Sequence, residues 1–298
     1  MSIEPILTFR HDNAVYSVAF SSDGKLLASG SLDKTIGVWE LPSGNQKVRL
    51  KGHREAVCTV VFQNDNSLLL SASLDKTLRT WNLESGELKS SLSGHQAYLT
   101  CMAASADETL AVTGSHDKEL LLWDTESSRQ VAVLQGHTDL VSCVAWSPDG
   151  KLVASGGLDL VIRIWDVESR RQVMEIGPHP KPLQSIAFSP DGRKLVASDE
   201  SPVVRVWNFK SGKVERTFEG HEHSVKTVAF SDDGRQLASG GADSRIIVRA
   251  FTTGRIEHRL EGHRNTIYGI AWSADGQRLA SASFDRTVRV WQLSAETP

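Results

Sequence analysis

Serine, histidine and aspartate together make the triad of a hydrolase, and clustered histidines make metal centres, so the histidines of this sequence are the place to begin. Seven of them, His11, His53, His95, His137, His179, His221 and His263, stand each 42 residues after the last. Tryptophan follows 28 residues behind at Trp39, Trp81, Trp123, Trp165, Trp207 and Trp291, and only Arg249 breaks that set. Such regularity argues against catalysis. A repeated Ser, His and Asp would give several equivalent active sites in one molecule, each serine would sit inside a strand, and no Gly-x-Ser-x-Gly turn occurs. Metal binding fares no better, because each periodic histidine belongs to a different unit and no His-Glu-x-x-His or Cys-x-x-Cys is present. His221-Glu222-His223 is the one His-x-His. With no Gly-x-Gly-x-x-Gly or Walker-type loop either, the expectation is a protein that is not an enzyme and holds no metal or cofactor.

Bulk properties narrow the class further. The 298 residues are 40% hydrophobic and 23% charged, as in ordinary soluble domains. A net charge of −3, with lysine and arginine spread along the chain, offers no footprint for a phosphate backbone or an anionic membrane. Cys58, Cys101 and Cys143 are odd in number and lie in apolar runs, which fits a reducing compartment. No stretch reaches the ~18 apolar residues of a membrane span, and MSIEPILTF lacks the features of a leader. A cytoplasmic or nuclear protein is expected, binding neither nucleic acid, membrane nor a small-molecule substrate.

What must position the periodic residues is a strand-rich repeat. AVYSVAF, KLLASGS, TIGVWEL and QKVRL within the first unit are short and rich in β-branched and aromatic types, so each unit is read as four strands. Asp-Gly at Asp23, Asp149, Asp191, Asp233 and Asp275 supplies the turns between antiparallel neighbours. Seven units of 42 account for 294 of the 298 positions, so one domain over 1–298 with no appended catalytic domain is expected. The last unit stops at Trp291-Gln292-Leu293, before a fourth strand, while residues 5–9 precede His11 as Gln46–Leu50 precede His53. Those N-terminal residues should complete the last blade and close a ring, removing its open edges. Small residues eight positions after each histidine, Ala19, Val61, Ala103, Ala145, Ala187, Ala229 and Ala271, suit a crowded innermost strand.

Gly-His, then Asp, then Trp at this period resembles the WD40-repeat β-propeller family, and the resemblance covers essentially the whole chain. It implies an all-β fold, a seven-bladed β-propeller of four-stranded antiparallel blades. It also implies a buried hydrogen-bond tetrad of His, Ser or Thr, Asp and Trp in each blade. The matching sets are His11, Ser29, Asp33, Trp39; His53, Ser71, Asp75, Trp81; His95, Thr113, Asp117, Trp123; His137, Ser155, Asp159, Trp165; and His263, Ser281, Asp285, Trp291. Blade five has Ala197 and Ser201 in place of Ser and Asp, as if its network were lost as a unit, and blade six has Arg249 for Trp beside His221, Ser239 and Asp243. Pro178, Pro180 and Pro182 surround His179; structural drift is the expectation, and a histidine freer than its counterparts is the alternative.

The resemblance further implies a partner surface on the top face, around the central channel. One position per blade lies five residues after the histidine: Tyr16, Cys58, Thr100, Ser142, Gln184, Lys226 and Tyr268. The other precedes the tetrad Asp: Leu32, Leu74, His116, Leu158, Glu200, Ala242 and Phe284. Leu32, Leu74, Leu158 and Phe284 are expected to be exposed at hairpin tips. Ring closure gathers Tyr16, Leu32, Cys58, Leu74, Tyr268 and Phe284 into one sector where binding energy would concentrate. Lys34, Lys76, Lys118 and Arg286 follow the tetrad Asp and are read as solvated turn charges, the alternative being a basic rim that favours an acidic or phosphorylated partner. The resulting expectation is a protein–protein interaction scaffold or adaptor that docks a peptide or protein partner, a monomeric propeller within a hetero-complex. The alternative is a structural subunit of a multiprotein complex that uses side or bottom surfaces.

Overall fold

The computed structural model describes residues 3–63 and 66–293; of the domain expected over 1–298, residues 1–2, 64–65 and 294–298 lie outside it. The described residues form seven antiparallel sheets of four strands each and no helix. Strand lengths of five to seven residues follow from the spacing of the turns. At the first Asp-Gly turn, the Ser21 hydroxyl donates to Asp23 Oδ1 at 2.6 Å and accepts from the Leu26 N–H at 2.8 Å, with Gly24 at φ 66°. The same Ser-x-Asp-Gly geometry recurs at Ser147, Ser189, Ser231 and Ser273, a repeated device in which side chains satisfy the turn backbone.

The sheets form a closed ring. The innermost strand of the first blade, Val15–Phe20, packs against Val57–Gln63 on one side and Ile267–Trp272 on the other. Pro5–Arg10, one residue longer than the expected 5–9, pairs antiparallel with Thr287–Gln292 as the outermost strand of the last blade, with Leu7 opposite Val290 and Phe9 opposite Val288. N- and C-terminal segments thus share one sheet, as the missing fourth strand implied.

The core lies between blades rather than within one. Ala28, Ile36 and Leu50 of the first blade meet Val57, Leu69 and Trp81 of the second. On the innermost side, alanine faces alanine across strands, Ala19 opposite Ala28, Ala145 opposite Ala154 and Ala271 opposite Ala280, which keeps the crowded end thin. One residue further, side chains turn to the other face. There Trp146 and Trp272 donate their indole N–H groups to Ala103 O at 3.0 Å and Ala229 O at 3.1 Å in the preceding blades.

Candidate functional site

Each periodic histidine except His179 reaches a strand hydroxyl with one ring nitrogen and the aspartate of the turn that follows that strand with the other. His11 donates from Nδ1 to Asp33 Oδ2 at 3.0 Å and accepts at Nε2 from the Ser29 hydroxyl at 2.8 Å, while the Trp39 indole donates to Ser29 Oγ at 2.9 Å. Those partners fix the tautomer. The same three bonds join His53, Asp75, Ser71 and Trp81; His95, Asp117, Thr113 and Trp123; His137, Asp159, Ser155 and Trp165; and His263, Asp285, Ser281 and Trp291. Burial pushes Asp33, Asp75 and Asp285 up, yet hydrogen bonds from the histidine and from Thr35, Thr77 and Thr287 hold these carboxyls well below the usual range. Burial lowers His53, His95 and His263 against the opposing pull of their aspartates. In the networks of His53, His95 and His263 a carboxylate therefore faces a neutral imidazole. Chemically this is the Ser-His-Asp constellation turned inward: the Ser29, Ser71, Ser155 and Ser281 side chains are fully buried and already accept an indole N–H.

Arginine was missed at this site. Arg79, Arg163 and Arg205 pair with Asp75, Asp159 and Asp199, and Arg49 reaches Asp33 from the neighbouring strand at 2.9 Å. The signal was present, since arginine stands 26 residues after the histidine at Arg79, Arg163, Arg205 and Arg289.

The irregular blades depart from the pattern in different ways. In blade five His179 is 2% exposed and packs on Trp207, so it is as buried as its counterparts. His179 Nδ1 and Nε2 and Trp207 Nε1 have no hydrogen-bond partner among the described residues. The carboxylate has not vanished with the rest: Asp199, two positions early, is buried at the end of its strand, bonded to Ser201 and paired with Arg205. In blade six His221 keeps Asp243 at 2.9 Å and Ser239 at 2.8 Å. Arg249 is buried in place of the indole, donating to the carbonyls of Glu219 and Gly254 and lying 5.4 Å over the Phe218 ring.

A central channel of about 350 Å³ runs through the ring, and all seven residues at the fifth position after the histidines line it. Tyr16 and Tyr268 meet edge to face at 5.2 Å, and Tyr268 meets Phe284 at 6.2 Å, so the first and last blades share one aromatic run. Phe284 is 43% and Leu158 38% exposed. Leu32 and Leu74 are half-buried, short of the exposure expected of them. Their backbone N–H groups bond back to Ala14 O and Ala56 O and fold each tip onto its loop; Leu158 makes the same bond to Leu140 O, so the difference is one of degree. Cys58 lines the channel beside Tyr16, its thiol pushed up to about 12 by burial, and Tyr16 is itself raised by burial and by Tyr268 and Cys58. Lys34, Lys76, Lys118 and Arg286 occupy left-handed turns at φ 69–74°. These lysines do more than meet solvent: Lys76 donates to Gln96 O at 2.8 Å and Lys118 to Thr138 O at 2.9 Å, each tying its turn to the next blade. His116 is exposed and packs against Tyr98 at 5.6 Å.

A family model described as Nucleolar protein 10-like, N-terminal domain, matches residues 11–246, and one described as WD domain, G-beta repeat, matches residues 254–292. Over 39 residues the chain is 49% identical to the probable cytosolic iron-sulfur protein assembly protein 1 of two strains of Cryptococcus neoformans var. neoformans serotype D, covering 13% of this chain and 9% of that protein. Over 42 residues it is 48% identical to Protein tipD of Dictyostelium discoideum, covering 14% of this chain and 7% of that one. The chain thus matches under a tenth of each named relative. Stretches of 39 and 42 residues are about one repeat long, so the likeness is one of blade sequence. No helix among the described residues is long and apolar enough to cross a membrane.

Proposed function

The chain belongs to the WD40-repeat β-propellers, in the family described as nucleolar protein 10-like N-terminal domains, and from that premise we propose that it is a non-enzymatic docking platform for a peptide or protein partner. The partner binds on the face where the channel opens, in a hetero-complex of the cytoplasm or nucleus. One observation carries this reading: the aromatic run from Tyr16 through Tyr268 to Phe284 ends in a phenylalanine ring 43% open to water. Aromatic clusters of this kind supply most of the energy of an interface once covered. The buried tetrads serve as scaffold, holding the turns that present the face.

Tyr16→Ala combined with Phe284→Ala is the test. Proteins recovered by affinity capture on the wild type should fall at least ~10-fold on the double variant, the loss expected of hot-spot truncation. Its melting temperature should stay within a few degrees. Undiminished recovery would remove the assignment to this face.

A second reading has its own observation. Ile6, Leu88, Val133, Val173 and Val214 are exposed apolar residues, all on the outermost strands of their blades. If the protein is instead a structural subunit held by its sides, Val173→Lys and Val214→Lys release the partners while the top-face pair is silent.

A further inference from the structure

We propose that the central channel receives an acidic side chain, an aspartate or glutamate carboxylate carried on a peptide segment of the docked partner. This inference rests on the docking reading above and specifies what the channel selects.

Charge on the channel wall is the ground for it. Among the described residues that line the channel, Lys226 alone carries a charge at neutral pH, and no carboxylate lies among them. The Lys226 ammonium makes no ion pair among the described residues; its hydrogen bond is to Gln184 Oε1 at 3.1 Å. The chain as a whole has a net charge of −3, so a positive channel is a local feature and not a reflection of bulk composition. Burial raises the Cys58, Cys101 and Cys143 thiols and the Tyr16 phenol, so these groups add no negative charge to the channel. Gln184 in turn donates through Nε2 to the exposed Glu200 carboxylate at 3.5 Å, so the partner of the ammonium is itself a neutral amide. A cation in a concave site attracts anions.

Hydrogen-bond donors line the same channel. Tyr268 lies on the next blade and Tyr16 on the one after, both on the channel wall, and neither phenol has a hydrogen-bond partner among the described residues. A channel that carries one ammonium and two phenols suits a carboxylate, which gains charge-assisted bonds from such donors. One cation balances one negative charge. A phosphate near −2 would be left half-compensated. Phe284, packed on Tyr268 at the rim, offers apolar cover to the residues beside the acidic one.

The test is selection of a random-peptide phage library on the immobilised protein, followed by anisotropy titration of the selected peptides. The expected peptides share an Asp or Glu whose change to Asn or Gln weakens binding at least ~10-fold, the loss of a hydrogen bond to a charged group. Lys226→Gln should weaken them equally, and Lys226→Glu should select peptides bearing Lys or Arg instead. Melting curves of both variants check the fold, and the substitution within the peptide needs no variant at all. Peptides that need Tyr16 and Phe284 yet ignore Lys226→Gln overturn the acidic specificity and leave the docking reading standing. Failure to select any peptide sensitive to Tyr16→Ala with Phe284→Ala overturns both.

Discussion

Asp199 Oδ2 lies 3.8 Å from His179 Nδ1, whereas the corresponding distance in the other six blades is 2.8–3.0 Å. The reason is a displaced set of side chains. Where the first blade reads Ser29-Gly30-Ser31-Leu32-Asp33, the fifth reads Ala197-Ser198-Asp199-Glu200-Ser201. The hydroxyl has moved one residue, which sends it to the opposite face of the strand, and there Ser198 Oγ has no partner among the described residues. The carboxylate has moved two, exchanging places with a serine, so that the Ser201 N–H now donates to Asp199 Oδ1 where the Asp33 N–H donated to Ser31 Oγ.

Returning the hydroxyl to its proper face should therefore stabilise the protein. Ala197→Ser with Ser198→Gly gives His179 Nε2 a donor and Trp207 Nε1 an acceptor, and removes an orphan. Each unsatisfied buried group costs about 1–3 kcal/mol, so a gain of ~2 kcal/mol and a rise of a few degrees in melting temperature are expected. An unchanged or lower melting temperature would show that the blade has repacked around the loss.

The converse holds in blade four. Ser155 accepts from Trp165 at 2.8 Å and donates to His137 at 2.6 Å, so Ser155→Ala strands two buried groups. In blade six Ser239 serves His221 without an indole, and Ser239→Ala strands the imidazole alone. Denaturant unfolding should give a loss of about 2–4 kcal/mol for the first and roughly half for the second. Equal losses would mean that the tryptophan bond contributes nothing.

Stability should decline toward acid in two stages. His53, His95 and His263 are lowered in the folded state by burial, so below about pH 6.5 the unfolded chain takes up protons that the native imidazoles refuse. Asp33, Asp75 and Asp285 are also lowered, their hydrogen bonds outweighing burial, so their contribution is complete above about pH 4 and is lost as pH falls further. The melting temperature should fall between pH 7.5 and 5 and more steeply below 4. A flat profile from 7.5 to 5 would contradict the first stage.

Blade number and ring closure were legible in the sequence because both rest on covalent spacing: a fixed interval between histidines and a last unit one strand short. One row of the channel wall, the seven residues five positions after the histidines, was legible for the same reason; the lining residues one and two positions further were not named. Blade five was not legible. Counting offsets registers Ala197 and Ser201 as losses, yet a carboxylate two residues away can still turn toward the histidine and recruit Arg205, an outcome decided by side-chain reach. Exposure at the tips of Leu32 and Leu74 was overestimated, and the fold-back bond of the turn does not explain it, because exposed Leu158 and Phe284 make the same bond.

Closure itself can be tested at one side chain. Phe9 belongs to the outermost strand of the last blade, is 5% exposed, and stacks on Trp39 of the first blade at 4.7 Å with 15° between the rings. It therefore holds the seam in two ways, joining the N- and C-terminal segments through the ladder to Val288 and the last blade to the first through its ring on Trp39. Phe9→Ala should cost about 3–5 kcal/mol, the range for emptying a buried aromatic site. The strand backbone remains, so the ring still closes, but its seam opens more often. Amide exchange should rise along Pro5–Arg10, along Thr287–Gln292 and around Trp39 while blades three to five stay as protected as before. Uniform acceleration through all blades would instead mean that the ring unfolds as one unit and that the seam has no separate stability.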